Sequence, residues 1–155
     1  MNKILLFKEL LREIENNLQL ALNAAQNTYD IATHEENKAE NKYDTRGLEA
    51  SYLAGAQAER VRDLRETLTM VSTLAIKHFD SETKIALTAL VQISSEEKNL
   101  WVLLLPKGGG QSFTFDKKQI QVITPESPLG RNLIGKQVED EVQVKDKFYE
   151  ITQVY

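Results

Sequence analysis

Between His34 and Asp44 the chain reads His-Glu-Glu-Asn-Lys-Ala-Glu-Asn-Lys-Tyr-Asp. Four acids (Glu35, Glu36, Glu40, Asp44) and two asparagines (Asn37, Asn41) fall within this stretch. Carboxylates and amide carbonyls are oxygen ligands, and a rod carrying them on its end would suit reaching into something. The plain alternative is that any helical hairpin has a polar tip because nothing packs there. From this stretch alone the plain alternative is preferred.

The elements that must position these residues are two long helices. From Met1 to about Ala75 there is no proline, and the only glycines are Gly47 and Gly55. Apolar or small residues recur at Phe7, Leu11, Ile14, Leu18, Ala21, Ala25, Thr28 and Ala32, in steps of four and three. The return helix repeats this rhythm at Ala50, Ala54, Gln57, Val61, Leu64, Leu68, Val71 and Ala75. That is the period of a coiled coil. With roughly 30 residues in each helix the rod is about 45 Å long, and the short connection makes the pair antiparallel. Near the base the seam holds large residues. Toward the tip it holds Ala21, Ala24, Ala25 and Ala32 facing Ala50, Ala54, Gly55 and Ala58. Such a seam allows close helix axes but buries little area, so a slim distal rod at some cost in stability is expected. Arg60, Arg62 and Arg65 alternate with Glu59, Asp63 and Glu66 and read as a solvated face with local ion pairs. Tyr29, Tyr43 and Tyr52 are read as packing around the distal hairpin, the alternative being a contact surface.

Composition narrows the class. Nineteen Lys and Arg against 23 Asp and Glu leave a formal charge of -4, which argues against bulk electrostatic binding to nucleic acid. No apolar run approaches the roughly 20 residues of a membrane span, and the first residues make too short an apolar core for a signal peptide. A cytoplasmic protein with no membrane partner is expected. Cysteine is absent, which excludes disulfides and thiol chemistry, and with only His34 and His78 a multi-histidine zinc site is disfavoured.

Past a linker at 76–83 the pattern changes to that of strands. Strands are expected at 85–93, 100–105, 112–115, 119–124, 141–144 and 148–154. The run Leu100–Leu105 is continuously apolar, as in a strand buried on both faces. Pro106-Lys-Gly-Gly-Gly110 is a turn whose glycines supply positive φ. It lacks the Gly-Lys-Ser/Thr ending of a phosphate loop. Ser127 can cap a short helix at 129–134, with Pro128 in its first turn and Gly135 just past its end. The expected architecture is α+β: an antiparallel helical hairpin at 1–75, the linker, and a small β-rich domain at 84–155.

Within that second half, Ser127-Pro-Leu-Gly, Leu133-Ile-Gly-Lys136, Val138-Glu-Asp-Glu-Val142-Gln-Val144 and Tyr149-Glu-Ile151 resemble the C-terminal motif of the bacterial Gre transcript-cleavage factors, the GreA/GreB-like family. Glu139 stands where that family usually has Gly or Asp. The family combines a coiled-coil N-domain with an FKBP-like C-domain, in the order and sizes found here. The resemblance implies a transcription elongation factor. It would dock on RNA polymerase through the C-domain, with Ser127 and Pro128 as candidate contacts, and pass the coiled coil down the secondary channel. Acidic tip residues would then hold a second Mg²⁺ shared with the polymerase, reaching nascent RNA only indirectly. Hard oxygen ligands suit that ion, and cleavage with two metals demands accurate placement.

The family's tip reads roughly Asp-x-x-Glu-Asn, and the matching segment is Asn37-Lys-Ala-Glu40-Asn41. Glu40 is the expected catalytic carboxylate, with Asn37 and Asn41 supporting it and Glu36, Glu40 and Asp44 as the metal-ligand candidates. Asn37 replaces the family's aspartate and brings no negative charge. At most the chain is an accessory to the polymerase's own cleavage activity, and the expected state is a monomer. Non-cleaving regulation of polymerase is an alternative reading, as is a coiled-coil adaptor unrelated to polymerase. A prolyl isomerase built on Trp101, Phe113, Phe115, Phe148 and Tyr149 is a further one.

Overall fold

A computed structural model of the chain describes residues 1–33, 46–96, 98–144 and 146–155. The elements are α1 (Lys3–Thr33), α2 (Arg46–Thr73), β1 (Leu90–Ser94), β2 (Asn99–Leu104), β3 (Ser112–Phe115), β4 (Lys118–Ile123), α3 (Pro128–Leu133), β5 (Glu141–Val144) and β6 (Lys147–Val154). The fold is α+β, as expected. Two compact units divide it. One holds Met1–Leu11 together with Met70–Tyr155, the other Arg12–Thr69. None of the described helices is long and apolar enough to cross a membrane.

In the helical unit, Ile14 and Ala21 of α1 and Val61, Leu64 and Thr67 of α2 are buried. The seven-residue step from Ile14 to Ala21, with Leu18, Ala25 and Thr28 half-buried, follows the coiled-coil rhythm read from the sequence. Details differ. Thr67 is buried more deeply than its neighbour Leu68; its hydroxyl donates to the Asp63 carbonyl at 2.8 Å, so the helix satisfies it internally. Gly55 and Ala58, expected on the seam, are exposed, because both lie off the phase set by Ala54, Gln57 and Val61. Where α1 belongs to the sheet unit, its buried stripe widens to Leu6, Phe7 and Leu10, while Leu11 is only half-buried. A strict coiled-coil seam is narrow, and a helix within a globular core needs a broader apolar face.

The sheet has six strands in the order β3-β4-β2-β1-β6-β5. All neighbours are antiparallel except β2 and β4. Val91, Ile93, Val102, Leu104, Ile123, Val142 and Ile151 share one buried cluster with Leu133, and Leu129 packs against it. On the opposite side of the same strands, Leu90, Trp101, Leu103, Phe113, Ile120 and Val122 are buried as well. The apolar run 100–105 is therefore apolar for the expected reason: β2 is an inner strand buried on both faces.

The first expected strand is shorter than read. It begins at Leu90, not Ile85. Ile85 is fully buried in the core, and its backbone exchanges hydrogen bonds with Gly135 and Lys136, yet it belongs to an irregular connector. Thr88 adopts φ 72°, a conformation that a β-branched residue adopts only under constraint. The constraint is visible: its N–H donates to the Leu104 carbonyl at 2.8 Å, and its hydroxyl accepts from the Lys77 N–H at 3.1 Å. Apolar composition reported burial there, and burial does not require a strand.

The N-terminus of α1 is capped by Asn2, whose side chain accepts from the Leu5 N–H at 3.2 Å. The next residue, Lys3, is only 4% exposed. Its ammonium donates to the carbonyls of Lys77 and Tyr155 (3.0 Å) and lies 4.7 Å from the centroid of the Phe79 ring. Burial pushes it down from the ordinary 10.5 to about 8. The unfolded chain therefore keeps this proton up to pH 10.5, while the folded chain releases it above about 8. The contribution of Lys3 to stability should be flat below pH 8, rise with pH between those two values, and level off above them. A neutral amine still donates to both carbonyls, so the bonds survive the loss of charge. Denaturant melts of the wild type and Lys3→Met across this window are expected to differ by a rise on the order of 2–3 kcal/mol, present only in the wild type.

Candidate functional site

Two places carry the sequence-derived candidates: the far end of the hairpin and the loop at Ser127. Glu36, Asn37, Glu40, Asn41 and Asp44, with His34, Glu35 and Tyr43, lie outside the described residues. The helix turns that lead to them are described. Thr28 and Thr33 donate their hydroxyls to the carbonyls of Ala24 and Tyr29, and Gln26 donates its side-chain amide to Asp30 at 2.8 Å. Among the described residues no group of three His, Cys, Asp or Glu could hold a metal ion.

Beyond Ala21 in α1 and before Val61 in α2, none of the described residues is buried. Ala24, Ala25, Ala54 and Gln57 are half-buried at most, in keeping with a seam of small side chains. Five large apolar residues of this stretch point outward. Tyr29 is 59% and Tyr52 71% exposed, so neither packs around the hairpin as the sequence reading favoured. Both sit off the seam's phase, which is held by Ala25, Thr28 and Ala54. Ile31, Leu48 and Leu53 are exposed too, a feature the sequence reading missed although their spacing from the seam signalled it. Arg62 pairs with Glu59 at 3.4 Å with both side chains mostly in solvent, the expected surface pair of small energetic value.

The Ser127 loop is built from short-range constraints. Ser127 has extended backbone angles (φ -69°, ψ 152°) and caps α3. Its Oγ accepts from the Gly130 N–H at 3.0 Å and donates to the Thr124 carbonyl at 2.7 Å. Pro128 follows in the first turn and is exposed. Gly130 is buried, and a Cβ there would stand 1.9 Å from the Thr124 carbonyl oxygen, so only glycine fits. Gly135 has φ 81° just past the helix, and Glu139 has φ 74°. The left-handed conformation at 139 gives a physical reason for Gly or Asp at that position. Of the two candidate contact residues, then, Ser127 has its hydroxyl engaged in the cap, and Pro128 presents its ring to solvent.

No protein-family model matches the chain, and no curated protein matches it significantly. Solved structures do. The chain is similar to GreA factor homolog 1 (Gfh1) of Thermus thermophilus, with 16% identity, 94% of each chain covered and a TM-score of 0.38. Gfh1 of Thermus aquaticus matches with 16% identity over 93% of this chain and 92% of that one, TM-score 0.37. The transcription elongation factor GreA/GreB of Nitrosomonas europaea matches with 12% identity over 69% of this chain and 91% of that one, TM-score 0.36. These neighbours are Gre-type factors, the group that the C-terminal motif resembles.

The aromatic residues considered for an isomerase pocket do not converge. Trp101 and Phe113 are buried on one face of the sheet, Tyr149 lies in the cluster on the other, and Phe148 is 64% exposed.

Two substitutions test the loop. Gly130→Ala should cost about 3 kcal/mol or more in equilibrium unfolding, because backbone, not a movable side chain, occupies the added methyl's place. Glu139→Gly should raise stability by about 0.5–1 kcal/mol by relieving the left-handed strain. A neutral Gly130→Ala would contradict the close approach.

Proposed function

We propose that this chain regulates bacterial RNA polymerase in the manner of the Gre factors, docking through its β-rich half and inserting the end of its helical hairpin into the secondary channel. The observation that carries the reading is the signature from Ser127 to Ile151. Its cap, its obligatory glycine and its left-handed positions each have a backbone reason, and it follows a helical hairpin. Pro128, exposed beside the capped helix, is the candidate docking contact, and Ser127 holds it in place. The cytoplasm is the compartment such a role requires.

Among the hairpin-end residues, Glu36, Glu40 and Asp44 are the carboxylates available to a Mg²⁺ ion, with Glu40 as the catalytic carboxylate and Asn41, next to it in sequence, supporting it. The donor set fits, since all of these are hard oxygen ligands. When bound there, the ion would supply positive charge at the scissile phosphodiester. Asn37 offers an amide oxygen in place of a carboxylate, which lowers the negative charge that recruits a divalent cation. This favours regulation of polymerase with weak or absent transcript cleavage over efficient cleavage.

Co-purification with core RNA polymerase at low salt, with polymerase in excess, tests the docking: the full chain should be retained, and its absence from the bound fraction would sink the reading in favour of a coiled-coil adaptor. On backtracked elongation complexes Asn37→Asp should raise Mg²⁺-dependent cleavage by about tenfold or more, and Glu40→Ala should abolish what the wild type shows. Cleavage indifferent to Glu40 would refute its assignment.

A further inference from the structure

We draw no further inference here: the strongest candidate, the surface patch on the β5–β6 hairpin made by exposed Phe148 and the directly opposed Glu141 and Glu150, carries nothing because nothing in the structure shows what covers it.

Discussion

A buried ammonium that has main-chain carbonyls as partners brings three distant parts of this chain together. Lys3 belongs to the first turn of α1, Lys77 follows the end of α2, and Tyr155 follows β6. Carbonyl oxygens carry partial charge only, so the ammonium is held without the full compensation that an ion pair would give. The resulting cost appears as its lowered pKa. The return is positional: the start of one helix, the exit from the other and the last strand are bound to one point, and Leu6, Phe7 and Leu10 become part of the sheet unit's buried interior.

Within the helical unit, apolar cover falls from Ile14 and Leu64 to Ala25 and Ala54. Leucine, isoleucine and valine give way to alanine, and burial at roughly 25 cal/mol per Å² falls with them. A helix pair of this kind is firm where large apolar residues fill its seam and marginal where alanine does. The tyrosines and leucines of the distal stretch, by contrast, are exposed and leave the seam to small side chains.

In the β-rich unit, burial changes along a single strand. On β4, Ile123 is in the core and Gln119 and Gln121 are not, although all three lie on one face. At the other end of the strand the chain turns through Thr124 into the Ser127 cap, where a carbonyl, a hydroxyl and an obligatory glycine leave no freedom. The Ser127 loop is thus first a set of backbone solutions, with Pro128 exposed in the first turn of α3.

The sequence by itself determined the order and type of nearly every element. Helical rhythm, the both-faces strand at 100–105 and the Ser-Pro-Leu-Gly cap are local patterns, and local patterns are set by periodicity, φ preference and capping chemistry. Tertiary structure decided what those patterns could not carry. Ile85 is as apolar as a strand residue, but Thr88 and its partners Lys77 and Leu104 keep it in a connector. Lys3 reads as an exposed cation until distant carbonyls close around it. The hairpin tip, where the sequence concentrates its oxygen ligands, lies outside the described residues. There the residue types are legible, but convergence of side chains separated along the chain is a property of three-dimensional packing, which a linear pattern does not contain.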